Sequence, residues 1–185
     1  MKFCSQCGAS LRYSIPEGDD RKRYLCDACG MIHYQNPKIV AGTIPVWEDK
    51  VLLCKRAIEP RKGFWTLPAG FMELGETTGE AAVRETDEEA NAAVELQELY
   101  TMYSLPFISQ VHLFYRAELK DGLFSPGSES LETRLFDESE IPWDDLSFET
   151  VIETLRCYFE DQRRGQFSLR TGKIEGEFKP DWHKK

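Results

Sequence analysis

The stretch "GFMELGETTGEAAVRETDEEANA", residues 70–92, combines a glycine-containing turn, a helix start and a high density of carboxylates. It holds six Glu and one Asp against a single Arg. Thr77-Thr78-Gly79-Glu80 has the form of a capping box, in which the side chains of the first and last residues satisfy free backbone N–H groups. We therefore predict a helix from about Thr77 to Asn91, where Asn can end the helix in the left-handed conformation.

Three carboxylates share one face of this predicted helix. At about 100° per residue, Glu85, Glu88 and Glu89 fall within one arc, while Thr86 and Ala90 lie on the opposite side. Like charges three and four residues apart repel each other, so the arrangement costs stability unless something offsets it. One interpretation is a solvated acidic surface. The other is a site for Mg²⁺ or Mn²⁺, which prefer carboxylate oxygens, and the absence of lysine from this face favours it.

The spacing of these residues resembles the Nudix box, whose pattern is Gly, x5, Glu, x7, Arg-Glu-apolar-x-Glu-Glu-x-Gly-apolar. Here Gly70, Glu76 and the run from Arg84 to Ala92 occupy the corresponding positions, and every charged position matches. Two positions depart from the pattern: Thr86 replaces an aliphatic residue, and Asn91 replaces Gly. Thr can still pack on the inner face of a helix, and Asn tolerates the left-handed conformation, so neither departure removes a metal ligand.

The resemblance implies an α/β fold, a three-layer α/β/α sandwich around a mixed sheet, and hydrolysis of a nucleoside diphosphate linked to another group X. It implies that Glu85, Glu88 and Glu89 bind catalytic Mg²⁺ or Mn²⁺. Glu76 would lie close to the metal, and Arg84 would orient the carboxylates through ion pairs. Such ions neutralise charge on the diphosphate and lower the pKa of a bound water, so no protein nucleophile is required.

The general base is left open, because members of the family take it from the box helix or from a later loop. Within the box we favour Glu89. Outside it, the candidates are Glu129 and Glu132 in "PGSESLETRLF", which an ordinary surface loop explains equally well. Arg56 on a predicted strand is a candidate for bidentate phosphate contacts, although a surface salt bridge would account for it as well.

Aromatic residues on the later predicted strands offer a stacking surface for adenine or flavin. The alternative is that they belong to the core, which is the commoner role of aromatic residues on strands. The candidates for substrate binding are Tyr103 and Phe107, with Phe114 and Tyr115 beside them.

Two CxxC pairs near the N-terminus have the spacing of a zinc ribbon. Cys4-Ser-Gln-Cys7 and Cys26-Asp-Ala-Cys29 are separated by eighteen residues, and each is followed at once by glycine. Thiolates two residues apart on a tight turn can reach one Zn²⁺. Four protein ligands leave no open position, so we predict a structural zinc. Cys54 and Cys157 lie in apolar segments and are expected to be buried hydrophobes.

Resemblances along the rest of the chain bear on the substrate. A zinc ribbon before a Nudix domain is similar to the NADH pyrophosphatase and decapping group, but "YTMYSLPFISQVHLFY" lacks the Ser-Gln-Pro-Trp-Pro-Phe-Pro-x-Ser stretch of that group. The segments "YQNPKIV", "VLLCKRAIEP", "WTLPAGF" and "PGSESLETRLFDESEIPWDDL" resemble zinc-ribbon Nudix proteins related to FAD pyrophosphatases. FAD and ADP-ribose are thus the leading substrates, with release of AMP. An NADH- or NAD-type substrate and a binding module with a vestigial Nudix domain are the alternatives.

Patterns elsewhere predict the domain organisation. We expect a zinc ribbon over residues 1–34, a Nudix domain over 35–165 and a polar tail over 166–185. Strands are predicted in "KIVAGTIPVW", "KVLLCKRAI", "FWTLPAGF", "VELQELYTMYSL", "QVHLFYRAEL" and "ETRLFD". A second helix is predicted from about Ser147 to Arg163, with Val151, Leu155, Tyr158 and Phe159 on one face.

Composition limits the function classes. Among 185 residues with a net charge of −9, no apolar run approaches the roughly 20 residues of a membrane span. The acidic balance disfavours sequence-independent binding to nucleic acid, which depends on Lys and Arg neutralising phosphates. The N-terminus "MKFCSQCG" lacks the apolar stretch of a secretory signal, so we expect a cytoplasmic protein with a small nucleotide substrate. The resemblance to enzymes of the ADP-ribose type also implies a homodimer.

Overall fold

A computed structural model describes residues 1–176 of the chain, which form two compact units, Met1–Pro37 and a larger unit that begins at Lys38. The first unit is an antiparallel sheet of three short strands, β1 (Arg12–Ser14), β2 (Arg23–Leu25) and β3 (Ile32–His33). Its buried hydrophobic residues are Cys4, Leu25 and Cys26. So few buried side chains give little hydrophobic stabilisation, which is typical of small domains that depend on a metal.

The second unit is built on a mixed sheet of eight strands. They are β4 (Lys38–Trp47), β5 (Lys50–Arg56), β6 (Trp65–Thr66), β7 (Ala69–Phe71), β8 (Val94–Leu105), β9 (Gln110–Leu119), β10 (Ser130–Phe136) and β11 (Arg170–Lys173). The strand order is β10-β5-β4-β9-β8-β11, with β6 paired to β5 and β7 paired to β4. Strand β4 runs parallel to β9, and β11 runs parallel to β8, whereas the other pairs are antiparallel.

Two helices, α1 (Thr78–Ala90) and α2 (Glu149–Arg164), cover opposite faces of this sheet. Successive side chains of a strand point to opposite faces, and β5 shows the division. Leu52 and Cys54 pack in the cluster that holds Ala90 of α1, whereas Val51 and Leu53 pack in the cluster that holds residues of α2. The α/β/α sandwich is thereby confirmed. Neither helix of residues 1–176 is long and apolar enough to span a bilayer.

The predicted helix α2 has its apolar face in the larger of these clusters. Val151, Leu155, Tyr158 and Phe159 are all buried there, as the periodicity predicts. The helix begins two residues later than predicted, at Glu149, and ends at Arg164, followed by Gly165 in the left-handed conformation. Glycine at this position costs no Cβ strain, which explains the sharp end of the helix.

The segment 166–185, predicted only as a polar tail, contributes strand β11 to the sheet. Its Arg170 forms an ion pair with Asp161 of α2, and Asp161 also accepts a hydrogen bond of 2.9 Å from the Tyr100 hydroxyl. Because Asp161 is only 2% exposed, these partners satisfy a carboxylate that burial would otherwise destabilise. Residues 177–185 of the segment lie outside the described residues.

Candidate functional site

The first and last turns of α1 have the cap geometry that the sequence predicts. The backbone N–H of Glu80 donates to the Thr77 hydroxyl at 3.2 Å, and the N–H of Thr77 donates to the Glu80 carboxylate at 2.7 Å. At the other end, Asn91 has φ 44° and ψ 43°, and its N–H donates to the carbonyl of Asp87 at 2.7 Å. The prediction that Asn replaces Gly as a left-handed cap is confirmed.

Thr86, the other departure from the Nudix box pattern, makes a buried polar contact with the sheet. Its hydroxyl donates to the carbonyl of Ala82 at 2.7 Å and lies 2.6 Å from the hydroxyl of Thr43 on β4. Both threonines are fully buried. A buried hydroxyl needs a partner, and each of these hydroxyls supplies one for the other. The pair joins the middle of α1 to the central strand of the sheet.

Arg84 lies among three of the predicted carboxylates. Its Nε is 2.5 Å from Glu76, and its Nη1 is 2.7 Å from Glu85 and 3.2 Å from Glu88. The remaining Nη2 donates to the carbonyl of Phe71 and to Glu76, each at 3.1 Å. The hydrogen bond from Arg84 holds the pKa of Glu76 below its usual range. Every arm of the guanidinium is thus used, so Arg84 fixes the side chains of the turn and of the helix relative to each other.

Glu89 is buried, with 6% of its surface exposed, whereas the side chain of Glu88 is 57% exposed. One carboxylate oxygen of Glu89 accepts a hydrogen bond of 3.2 Å from the backbone N–H of Ala69. The pKa of Glu89 is raised to about 8, mainly by burial and also by the charges of Glu85 and Glu129, while the Ala69 hydrogen bond and the charge of Arg56 oppose the rise. Burial also raises the pKa of Glu85. A solvated acidic surface does not describe this helix face.

The glycine that begins the box lies against the carboxylate of Glu85. A Cβ atom added at Gly70 would lie 2.2 Å from a carboxylate oxygen of Glu85. Any other residue would therefore displace the carboxylate of Glu85 from this position. The turn and the helix therefore approach each other closely because position 70 is glycine.

The raised pKa of Glu89 leads to a prediction about stability. The folded chain holds the Glu89 proton more tightly than the unfolded chain does, so rising pH favours unfolding between the ordinary pKa of 4.5 and about 8. With zinc retained and no other divalent metal added, the midpoint of thermal unfolding should fall across this range. Glu89→Gln should remove that part of the fall and raise the midpoint at pH 8 by about 4 °C relative to wild type. Equal pH dependence in both proteins would contradict the assignment.

The carboxylates of α1 and of the turn before it fit a hard divalent cation. Arg84 binds three of the four carboxylates, those of Glu76, Glu85 and Glu88. The fourth, Glu89, is buried, and burial disfavours its ionised form. Oxygen ligands of this kind suit Mg²⁺ or Mn²⁺. Three of these carboxylates are hydrogen-bonded to Arg84, so their oxygens do not converge on one common metal position in this structure. Within residues 1–176, the N-terminal cysteines form the one group of potential ligands whose atoms all lie within 4.8 Å of one another.

That group is Cys4, Cys7, Cys26 and Cys29. The two CxxC turns are built alike: the N–H of Gly8 donates to the carbonyl of Cys4 at 2.9 Å, and the N–H of Gly30 donates to that of Cys26 at 2.8 Å. Both glycines have positive φ, 77° and 74°, which explains why glycine follows each pair. A backbone hydrogen bond lowers the pKa of the Cys26 thiol to about 7. The arrangement fits a closed tetrahedral zinc site.

Of the site residues predicted outside the box, Arg56 and Glu129 lie near it, and Glu132 lies farther away. Glu129 lies next to the end of β5, where Arg56 is, because its carbonyl accepts a hydrogen bond of 2.7 Å from the N–H of Ala57. The charges of Arg56 and Glu129 both act on the pKa of Glu89. Arg56 also donates to the carbonyl of Pro60 at 2.8 Å. Glu132 lies farther along β10 and is 3.9 Å from Lys55 Nζ. Glu132 is thus in a strand and not in a loop, and Glu129 is the glutamate that lies closer to the box.

The predicted stacking surface is mostly buried. Tyr103 is 7% exposed and packs with Leu105 and Ile174, so it is a packing residue in this chain and offers no open ring face. Phe114 is 1% exposed and belongs to the core on the α2 side. Tyr115 is half-buried, and its hydroxyl lies 2.6 Å from that of Thr78. Phe107 is half-buried in a 3₁₀ turn.

Two contributors to the site have no signal in the sequence. The backbone N–H of Ala69 binds Glu89, and a backbone donor is independent of side-chain identity. The segment Ser125–Gly127 packs on the last turn of α1. Its "SPG" letters are typical of any turn, and only knowledge of contacts between distant residues would have located it.

Comparisons with known proteins agree with this geometry. The family described as Nudix N-terminal, a zinc ribbon, matches residues 2–35, and the NUDIX domain matches residues 36–179. An ADP-ribose pyrophosphatase of Methanocaldococcus jannaschii is 31% identical over 124 residues, 65% of this chain and 73% of that protein. The NAD-capped RNA hydrolase NudC of Photobacterium profundum is 27% identical over 145 residues, 77% of this chain and 52% of that protein.

The chain thus spans about half the length of the NAD-capped RNA hydrolase that it matches. A crystal structure of a NUDIX hydrolase from Nitrosomonas europaea is 57% identical and has a TM-score of 0.93, covering 95% of this chain and 100% of that one. The NUDIX match includes the whole of α1 and the carboxylates described above. This chain therefore belongs to the Nudix hydrolases, and a zinc ribbon of the Nudix type precedes its catalytic domain.

Proposed function

We propose that this enzyme hydrolyses the diphosphate of a nucleoside diphosphate linked to a group X, with ADP-ribose or FAD as the leading substrates and AMP as a product. The observation that carries the proposal is the set of carboxylates held by Arg84, with the buried Glu89 beside it. The similarity to an ADP-ribose pyrophosphatase supports ADP-ribose. The resemblance to FAD pyrophosphatases across the zinc ribbon and the strands supports FAD.

Glu85, Glu88 and Glu89 are the proposed ligands of Mg²⁺ or Mn²⁺, with Glu76 close to them. Such an ion neutralises charge on the diphosphate and lowers the pKa of a bound water. The protein's own contribution is orientation: Arg84 holds Glu76, Glu85 and Glu88, while the Ala69 N–H holds Glu89.

The proposed general base is Glu89 or Glu129, the two candidates that lie together. Glu89 is buried beside the other proposed ligands, where a bound cation would keep its carboxylate ionised and able to accept a proton. Glu129 is exposed on a loop, where it can reach a water on the substrate side. Glu132 is the weaker candidate because its carboxylate is directed to Lys55.

Arg56 is the proposed phosphate-binding residue. Its charge lowers the pKa of Glu89, so the guanidinium lies within electrostatic range of the carboxylates. Its Nε donates a hydrogen bond to the carbonyl of Pro60, and its guanidinium carbon lies 5.2 Å from the centre of the Phe148 ring. These contacts hold the side chain in place beside the box, where its other N–H groups can donate to a phosphate.

The second candidate is hydrolysis of an NAD-type diphosphate, as in NADH or NAD-capped RNA. It is favoured by the similarity to NudC, the NAD-capped RNA hydrolase. The absence of the Ser-Gln-Pro-Trp-Pro-Phe-Pro-x-Ser stretch argues against it.

We also propose that the chain forms a homodimer, because it resembles enzymes of the ADP-ribose type. Analytical ultracentrifugation tests this proposal directly.

The experiment that tests the proposed function is AMP release from a substrate panel. ADP-ribose, FAD, NADH, NAD-capped RNA and nucleoside triphosphates are incubated with Mg²⁺ or Mn²⁺, and parallel samples omit the divalent metal so that zinc stays in place. We expect metal-dependent AMP release from ADP-ribose or FAD. Preference for NADH or NAD-capped RNA would establish the second candidate, and no release from any diphosphate would refute the proposal.

A further inference from the structure

The end of α1 is covered by the loop segment Ser125–Gly127. The N–H of Ser125 donates to the carbonyl of Ala90 at 2.8 Å, and the N–H of Gly127 donates to that of Glu89 at 3.0 Å. The last carbonyls of a helix have no hydrogen-bond donor within the helix and usually bind water. Here the loop supplies the donors for two of them. A Cβ added at Gly127 would lie 1.8 Å from the carbonyl oxygen of Glu88. This close approach is possible only for glycine.

The side chain of Asn91 holds the same segment from the helix side. Its Nδ2 donates to the carbonyl of Ser125 at 3.2 Å and to that of Pro126 at 3.0 Å. The backbone of Asn91 already ends the helix in the left-handed conformation, a role that glycine performs as well. Glycine is the usual residue at this position of the box, and it could not form these two side-chain hydrogen bonds.

The loop leads directly from this contact to Glu129. The N–H of Ser130 donates to the carbonyl of Gly127 at 3.1 Å, and the carbonyl of Glu129 accepts a bond of 2.7 Å from the N–H of Ala57. In the β10–β5 pair, Ser130 lies opposite Arg56. Glu129 is thus held between two fixed points, the last turn of α1 and the end of β5.

We propose that Asn91 is a positioning residue for Glu129, because it holds the loop that leads to Glu129 on the last turn of α1. The inference rests on the proposed function for its kinetic part, whereas the tether itself is a property of the folded chain. The side-chain amide of Asn91 contacts the loop backbone. It acts through the backbone of Ser125 and Pro126, which fixes where the loop begins its path to Glu129.

Two variants test the tether. Asn91→Gly keeps the left-handed backbone and removes the amide, while Asn91→Asp keeps the shape and places a carboxylate against two carbonyl oxygens. Amide hydrogen exchange at Ser125 and Gly127 should accelerate by about tenfold in Asn91→Gly and by more in Asn91→Asp. The control is Asp121→Ala, which removes a 3.0 Å bond to the N–H of Leu123 elsewhere in the loop. It should leave exchange at Ser125 and Gly127 unchanged.

Kinetics then separate positioning from a purely structural role. For the substrate found in the panel, kcat of Asn91→Gly should fall about tenfold while KM changes by less than about twofold. Glu129→Gln should lower kcat by a smaller factor in the Asn91→Gly background than in wild type, because the residues act together. Unchanged exchange refutes the tether. Faster exchange with wild-type kcat, or with independent effects of the two substitutions, refutes the positioning role. If wild type cleaves nothing, the proposed function fails and the exchange data still decide the tether.

Discussion

Glu89→Gln is expected to lower the turnover of diphosphate hydrolysis by about two to four orders of magnitude. Glutamine keeps the volume of the side chain and can accept the hydrogen bond from the Ala69 N–H, so the fold should be retained. It cannot carry the negative charge that binds a divalent cation, nor can it accept a proton. The loss should therefore appear in kcat under saturating Mg²⁺ as well as in the metal concentration that activates the enzyme.

Glu88→Gln should also lower turnover by about two orders of magnitude or more, since Glu88 is a proposed ligand of the same metal. Asp87→Asn is the matched control, because Asp87 is an exposed carboxylate on the same helix with no side-chain role in the site. Steady-state kinetics of the three variants, with zinc content and circular dichroism measured on each, make the comparison. Wild-type turnover in both Glu variants would show that this carboxylate face is not the catalytic metal site.

Replacing one CxxC pair, as in Cys26→Ser with Cys29→Ser, is expected to abolish zinc binding and unfold residues 1–37. This unit buries only Cys4, Leu25 and Cys26 as hydrophobic residues, and two of these are themselves proposed ligands. Structural zinc supplies about 10 to 16 kcal/mol in zinc-finger peptides, far more than so small a core. The metal is thus the main source of stability for the ribbon.

Zinc per chain, measured by elemental analysis, should fall from one to none in the double variant, and amides of residues 1–37 should lose their protection from hydrogen exchange. Cys157→Ser is the control, since Cys157 lies in α2 and its Sγ is 3.9 Å from the Tyr103 hydroxyl. It should retain zinc. A double variant that keeps a full equivalent of zinc would show that the four cysteines are not the ligands.

Features set by neighbouring residues could be predicted from the sequence. Thr77, Glu80 and Asn91 determine the ends of α1 through short-range capping, so its predicted range differs from the observed one by a single residue at each end. Strand β4 has its predicted bounds because its apolar run is delimited by Pro37 before it and by Glu48 and Asp49, both at positive φ, after it.

Features set by distant contacts could not be predicted. Helical periodicity places Glu89 on the same face as Glu88, but only the packing of β7 and β5 against α1 buries it. Strand β11 is polar and short, and it forms because β8 offers a parallel edge. Tyr103 alternates correctly for a strand, yet its burial depends on Ile174 and the α2 face, which lie far along the chain.

The buried hydroxyl pair of Thr43 and Thr86 has an evolutionary consequence. The two positions are 43 residues apart, and Thr86, which also donates to the Ala82 carbonyl, is the partner that makes the Thr43 hydroxyl tolerable inside the protein. An aliphatic residue at 86 alone would leave the hydroxyl at 43 without its partner on the helix. We therefore expect these two positions to covary in related proteins, so that the usual aliphatic residue of the box is accompanied by loss of the hydroxyl on β4.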